Sequence, residues 1–370
     1  MVIERCVIFA IYFYLLNMKL SRITLVFLLF FTIKPAFSQP NLDKNKQYVP
    51  LGIGFWNLEN FYDTLNDPFK NDEEFLPGGT YDWTGTKYRN KLDHMSDVIS
   101  QLGTESSPDG VAVIGVCEVE NINVLKDLAK TPKLIKRNYI PILIEGPDLR
   151  GVDVGFMYNP KYFKPSSQKS FKVTLATDST YPTRDELLVS GKLLGEDFHF
   201  IVCHWPSRRG GDIASEPNRV AAAKVARKII DSLLKNDPNA KIILMGDLND
   251  DPTNKSVKEV LNTTAKRDKA IAPVLYNAME EYFKKGIGTL GWNDTWSLFD
   301  QQIMTPALMK GDFKDLQFYV SHIFNKPLVL DPEGKYKGYP LRTHSGGVYT
   351  NGYSDHCAVY SILLKEMAKK

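Results

Sequence analysis

Five apolar runs in this chain meet a polar residue that can do chemistry. They are "GFWNLEN" with Asn57, "IGVCEVEN" with Glu118, "IVCHWPSRRGG" with His204, "ILMGDLND" with Asp247 and Asn249, and "GYSDHCAVY" with Asp355 and His356. One such ending alone reads as a cap or a turn. Five together imply one site at one edge of stacked strands. Carboxylates with an amide, and no cluster of three cysteines or three histidines, suit a hard cation such as Mg²⁺ or Mn²⁺. Two imidazoles suit proton transfer or stabilisation of a charged oxygen. Arg208 and Arg209, just past His204, suit phosphate. Cation, imidazole and guanidinium are together the equipment of phosphoryl transfer to water.

Such residues need rigid elements behind them. Buried strands are expected at 49–57, 110–119 and 240–250, in "YIPILIE", "VDVGFMYN", "ELLVSGKLL", "DFHFIVCHW", "SLFDQQIMT" and "LQFYVS", and at 356–364. Residues 86–102 place Leu92, Met95, Val98, Ile99 and Leu102 at helical spacing, and 216–235 place Val220, Ala223, Ile230 and Leu234 on one side. A short helix is expected at 121–130. No linker or repeat interrupts the pattern. The chain therefore reads as one α/β (α+β) domain over 49–366, with two packed sheets and helices outside.

The N-terminus reads differently. Residues 18–38 run from Lys19 and Arg22 through an apolar core to Ala36-x-Ser38, the order of a secretory signal. Residues 1–38 are accordingly expected to be a signal peptide cut near Gln39, with 1–17 an over-long gene start before Met18 and 39–48 a polar leader. An uncleaved anchor is the alternative. Removing four basic and one acidic residue of 1–38 from totals of 46 and 43 leaves 42 of each, so the processed chain has no formal net charge. Long nucleic acid gripped by charge alone calls for a basic protein, so phosphate attraction here must be local. Cys117, Cys203 and Cys357 lack the spacing of a disulfide framework. Each adjoins a polar residue of the site, so strand alternation points all three away from the cleft.

In this order, the motifs "CEVEN", "HWPSRRGG", "GDLND" and "SDH" resemble the endonuclease/exonuclease/phosphatase superfamily, over about 51–364, in the manner of a bacterial secreted member. The resemblance implies a two-sheet β-sandwich flanked by helices, four-layered and deoxyribonuclease-I-like. It implies Glu118 as principal metal ligand with Asn57 beside it and Asp355 near the metal. Glu120 is the rival, though an acid at a helix start is commonplace. Asp247 would orient or deprotonate the attacking water, and Asn249 would bind a phosphoryl oxygen. His356 would bind phosphate or act as base, and His204 is the second imidazole. Asp153 matches the carboxylate partner of His204 and Asp300 that of His356, with Asp315 a weaker candidate. His94, His199, His322 and His344 read as structural, although His344 could reach the site rim. The acidic run at 71–75 reads as a solvated loop.

The expected activity is a secreted or periplasmic, Mg²⁺- or Mn²⁺-dependent phosphoesterase, monomeric, with no membrane span once the signal is removed. An extracellular endonuclease on nucleic acid leads. The alternative is a phosphatase or phosphodiesterase acting on lipid headgroups or small phosphates; no aromatic wedge or membrane hairpin is visible in the sequence. A non-catalytic binding module is the third reading, and no site residue is missing to favour it.

Overall fold

Strand β1 (Tyr48–Phe61) is buried over most of its length because it lies inside a six-stranded sheet. The computed structural model describes Pro40 and residues 42–367. The signal-like segment lies outside the described residues. Contacts divide the chain into two units at Leu42/Asp43, and both large sheets belong to the second.

The first sheet also contains β2 (Val111–Val119), β3 (Ile140–Leu143), β4 (Asp153–Tyr158), β14 (Gln317–Phe324) and β17 (Ala358–Glu366), in the order β14-β17-β1-β2-β4-β3. The second holds β5 (Phe163–Phe171), β6 (Glu186–Leu193), β7 (Glu196–His204), β8 (Lys241–Asp247), β9 (Thr263–Thr264), β10 (Leu275–Asn277) and β13 (Asp300–Met304), in the order β5-β6-β7-β8-β13-β10-β9. Two small ribbons complete the strands, β11 (Leu290–Trp292) with β12 (Thr295–Ser297) and β15 (His344–Ser345) with β16 (Val348–Tyr349).

Between the sheets lies a core built on Ile53, Phe55, Phe156, Phe200, Val202 and Met245. The opposite face of the second sheet, through Ile201, Cys203, Ile242 and Leu244, packs on Ala222, Ala223, Ala226 and Ile230 of the long helix Asp212–Asn236. Against the first sheet lie helix α1 (Gly85–Gln101), with Met95, Val98 and Ile99 buried, and helix α2 (Ile122–Ala129), which packs on β3 and β4. The order is helices, sheet, sheet, helices, the expected mixed α/β sandwich. Residues buried on both faces explain why β2 and β8 are continuous apolar runs.

The long helix, α3 (Asp212–Asn236), starts four residues before the expected 216 despite Pro217. Arg219, fully buried, ties down this first turn by donating to the Asp212 carbonyl (3.0 Å), the Asp212 carboxylate (2.6 Å) and Ser215 Oγ (2.7 Å). Strand β5, "FKPSSQKSF", gives no apolar signal because it is an exposed edge carrying Lys164 and Lys169, which suits an edge that must not pair further.

Candidate active site

Three catalytic candidates share one row of the second sheet. His204 is in register with Asp247 across the parallel β7–β8 pair, and Asp247 with Asp300 across the antiparallel β8–β13 pair. All three are buried at strand ends. The first sheet supplies the facing residues. Asn57 pairs with Cys117, and a register shift between Cys117 and Val119 leaves Glu118 as the extra residue, at φ 57°. A bulge re-aims a side chain in this way. Glu59, Asn60 and Asn249 also have positive φ. Backbone strain of this kind, costing on the order of 1–3 kcal/mol per residue, gathers at functional sites. His356 precedes β17, and its carbonyl accepts from Trp56 Nε1 at 2.8 Å.

The two imidazoles are electrostatically opposite. Burial pulls the pKa of His356 down, but Asp300 and Asp247 outweigh it and hold it well above the usual value. Its Nδ1 donates to Asp300 Oδ2 at 2.7 Å, and its Nε2 lies 3.8 Å from Asp247 Oδ2 and 3.9 Å from Asp355 Oδ1. That direction favours the imidazolium, a form suited to bind a phosphoryl oxygen rather than to remove a proton. His204 is pushed well below the usual value by burial and by the Arg184, Arg150 and His356 charges. Its Nε2 stands 3.7 Å from Glu118 Oε1 and 3.8 Å from Asp247 Oδ2, beyond hydrogen-bond length. Burial raises Asp247 to about 6, with His356 opposing and Asp300 adding. Asp247 accepts from Asn249 N and Asn57 Nδ2, both at 2.9 Å.

Cys117, His204 and Asp247 form a candidate metal-binding cluster, with one ligand atom of each within 4.8 Å of the others. This corrects the facing expected for Cys117. The bulge at Glu118 breaks alternation, so Cys117 lies under the site in the inter-sheet core, whereas Cys203 faces α3 as expected. The Cys117 thiol is pushed well up by burial and by the Asp247, Glu118 and Asp300 carboxylates, which disfavours the thiolate a metal would bind. Oxygen donors are better placed. Glu118 Oε2 accepts from Asn60 N at 2.9 Å, and its Oε1 faces His204. Asp355 Oδ2 accepts from Arg342 at 3.1 Å, leaving Oδ1 toward His356. This donor set fits a cation. Asn57 lies beside Glu118, as expected. Its Oδ1 accepts from Glu59 N at 2.9 Å, and its Nδ2 points at Asp247 (2.9 Å) and Glu118 (3.5 Å), so it positions carboxylates. All three described cysteines are free and buried. Denatured, never-reduced protein beginning near residue 39 should titrate three thiols; a count of one would reveal a disulfide.

Asp153 does not partner His204. Its Oδ1 accepts from Gly146 N at 2.9 Å, while His204 Nδ1 is buried with no partner. Burial raises Asp153 to about 7, and it lines a separate 340 Å³ cavity with Glu120, which burial raises to about 8. Asp315 pairs with Lys241 at 3.3 Å, at the far end of β8 from Asp247. That is roughly 20 Å away at about 3.3 Å per residue. Arg208 turns back onto the protein. Its Nε donates to Asn249 O at 2.9 Å, its Nη2 meets Asp251 (3.2 Å) and Asn254 (3.3 Å), and it lies over the Phe299 ring. It braces the "GDLND" loop because the turn after His204 lays it there. Arg209 is exposed, with no carboxylate in ion-pair distance among the described residues. Arg208→Ala should therefore lower stability by about 1–3 kcal/mol in denaturant unfolding, whereas Arg209→Ala should raise KM without moving the unfolding midpoint. Unchanged stability for Arg208→Ala would contradict the brace.

The cations at the centre are others. Arg184, buried, donates to Trp205 O at 2.9 Å and pairs with Asp148 at 3.3 Å. Arg150 lies near enough to depress His204, and Arg342 holds Asp355. Lys91 and Glu59 form a buried pair at 3.7 Å beside them. None sits in an apolar strand ending, the signal that locates the rest; only "WNLEN" holds Glu59 two residues beyond Asn57. Three of the remaining histidines pack structurally: His94 on Tyr353, His322 on Tyr360, and His199 against Ser190 Oγ at 2.8 Å.

A family model described as the Endonuclease/Exonuclease/phosphatase family matches residues 52–365. No curated protein matches the chain. Among solved structures, a family protein from Bacteroides thetaiotaomicron is 15% identical with a TM-score of 0.51, covering 88% of this chain and 98% of its own. The mannosyl-6-phosphatase of Bacteroides thetaiotaomicron VPI-5482 is 16% identical with a TM-score of 0.50, covering 85% and 99%. TDP2 of D. rerio, complexed with single strand DNA product, is 16% identical with a TM-score of 0.51, covering 85% and 98%. At these identities the likeness is one of fold.

Proposed function

Because the chain belongs to the endonuclease/exonuclease/phosphatase family and holds a candidate metal-binding cluster, we propose that it is a Mg²⁺- or Mn²⁺-dependent phosphoesterase acting on small phosphate esters. The observation that carries the substrate class is where the positive charge lies. Arg184, Arg150 and Arg342 are gathered around the reacting centre, and Arg208 is spent on the loop. The processed chain has no net charge to track a polynucleotide. This favours a compact phosphate ester over the endonuclease reading. The fold itself is neutral on the point, since its relatives include a mannosyl-6-phosphatase and a protein complexed with a DNA product.

In this reading Asp247 orients the attacking water, fixed by Asn57 and the Asn249 amide. The His356 imidazolium and neutral His204 bind phosphoryl oxygens as charge develops. Glu118, with Asp247 and Asp355, would hold a cation that offsets that charge. Asn249, anchored through Nδ2 to Trp205 O at 3.0 Å, has its amide oxygen available to the phosphoryl group or its water.

Among the described residues no helix is long and apolar enough to cross a membrane. Yet exposed aromatics exist that no sequence pattern marks. Phe69 is 88% exposed, and Trp292, beside the Asn293-Asp294 turn of the β11–β12 ribbon, is 66% exposed. A lipid substrate therefore belongs in the test. Purified protein with Mg²⁺ or Mn²⁺ is assayed in parallel on small phosphate monoesters, a generic phosphodiester, sphingomyelin, RNA and plasmid DNA. The reading expects the small esters to have the highest kcat/KM; faster plasmid cleavage overturns it.

Export is part of the proposal, supported by the signal-like order of residues 18–38. The intact mass of exported protein should correspond to a start near Gln39. A product retaining Met1 or Met18 would favour an anchor.

A further inference from the structure

A 170 Å³ cavity opens beside the reacting centre. It shares Asp355 with that centre, and its wall residue Asn60 donates its backbone N–H to Glu118 Oε2 at 2.9 Å. A group filling it would lie next to a phosphate held at Glu118 and His356.

One wall is aromatic and braced. Tyr81 stacks on Phe75 with centroids 4.7 Å apart and tilts against His344 at 4.8 Å. Behind them Trp83 is fixed by its Nε1 donating to Tyr62 O at 3.0 Å, and Phe75 stacks on Tyr62 at 4.4 Å. The other wall is charged and capable of both donating and accepting. It presents the Arg342–Asp355 pair and Glu59, which accepts from Thr343 N at 2.6 Å. His344 Nε2 is buried in the wall without a partner. Burial, with the Lys87 and Lys91 charges, pushes this ring down to about 4, so it is neutral at neutral pH.

Paired carboxylate and guanidinium opposite a braced aromatic wall match a ring with adjacent hydroxyls on its edge and C–H groups that can meet the edges of that wall. The volume lies below the roughly 300–1,000 Å³ of pockets for drug-sized ligands, so it suits one ring. We propose that this cavity is the leaving-group subsite and that the leaving group is a monosaccharide, the substrate being a sugar phosphate monoester. The inference rests on the small-ester reading above and deepens it.

The test compares a panel of hexose 6-phosphates with ethyl phosphate, whose leaving group cannot fill the cavity. Phosphate release is measured for wild type, Tyr81→Ala, Tyr81→Phe and His344→Ala. At least one hexose phosphate should exceed ethyl phosphate by roughly a hundredfold in kcat/KM. Tyr81→Ala and His344→Ala should raise KM for the sugar ester about tenfold, the scale of one lost contact of this kind. Ethyl phosphate hydrolysis should stay unchanged in both, which also shows that they are folded. Tyr81→Phe should keep the sugar preference. Equal wild-type kcat/KM on the two kinds of ester, or equal losses on both in the variants, overturns the sugar subsite and leaves a small-ester phosphatase standing. Cleavage of plasmid but of neither monoester overturns both readings.

Discussion

Alanine in place of His356 should lower kcat by roughly 10²–10³, the usual effect of losing one donor that stabilises the charge developing at the reacting atoms. The reason is the row Asp247–Asp300 with His356 set between its carboxylates. A second effect accompanies the first. Asp300 is fully buried, its Oδ1 has no partner, and its Oδ2 is satisfied by His356 Nδ1. Removing the imidazolium strands a buried charge, which costs about 3–5 kcal/mol. Denaturant unfolding should therefore show His356→Ala clearly destabilised. The double variant His356→Ala with Asp300→Asn should recover much of that stability and none of the activity. Recovered activity in the double variant would mean that His356 serves only to neutralise Asp300.

The second large effect is expected at Glu118. Glu118→Gln should lose hydrolysis by orders of magnitude while the protein remains folded. The amide keeps the shape and can still accept from Asn60 N, so the bulge at φ 57° is retained. It loses the negative charge that a hard cation requires. Calorimetric titration with Mn²⁺ should show weaker binding than wild type, with the same unfolding midpoint in the absence of metal. Wild-type affinity in this variant would move the cation to other ligands, Asp247 and Asp355 first among them.

How the site can be read from sequence depends on where its residues sit. His204 and Asp247 are strand ends in one register row, and an apolar run that stops at a polar residue reports such a position directly, whereas Asp300, which begins β13 in the same row, is marked only by the resemblance. The same logic locates the sandwich, because strands buried on both faces read as continuous apolar runs. It fails where geometry departs from alternation or where reach decides. Alternation puts Cys117 on the wrong face because one bulged residue reverses the parity of everything beside it. Arg208 has the right chemistry for phosphate, yet its long side chain reaches the Asn249 carbonyl and the Asp251 carboxylate. Asp153 starts the expected strand, but β4 aligns it with Val119, beyond the bulge, and it faces the neighbouring cavity. Arg150, Arg184 and Arg342 come from loops, where no periodicity marks a side chain that folds back on the site.

The central claim is metal-dependent hydrolysis of a phosphate ester at this centre. It is tested most directly by stripping the purified protein with chelator, removing the chelator, and measuring phosphate-ester hydrolysis before and after adding Mg²⁺ or Mn²⁺. The account predicts no detectable turnover in the stripped protein, restoration by either ion, and no restoration in Glu118→Gln. Full wild-type activity in excess chelator would contradict it.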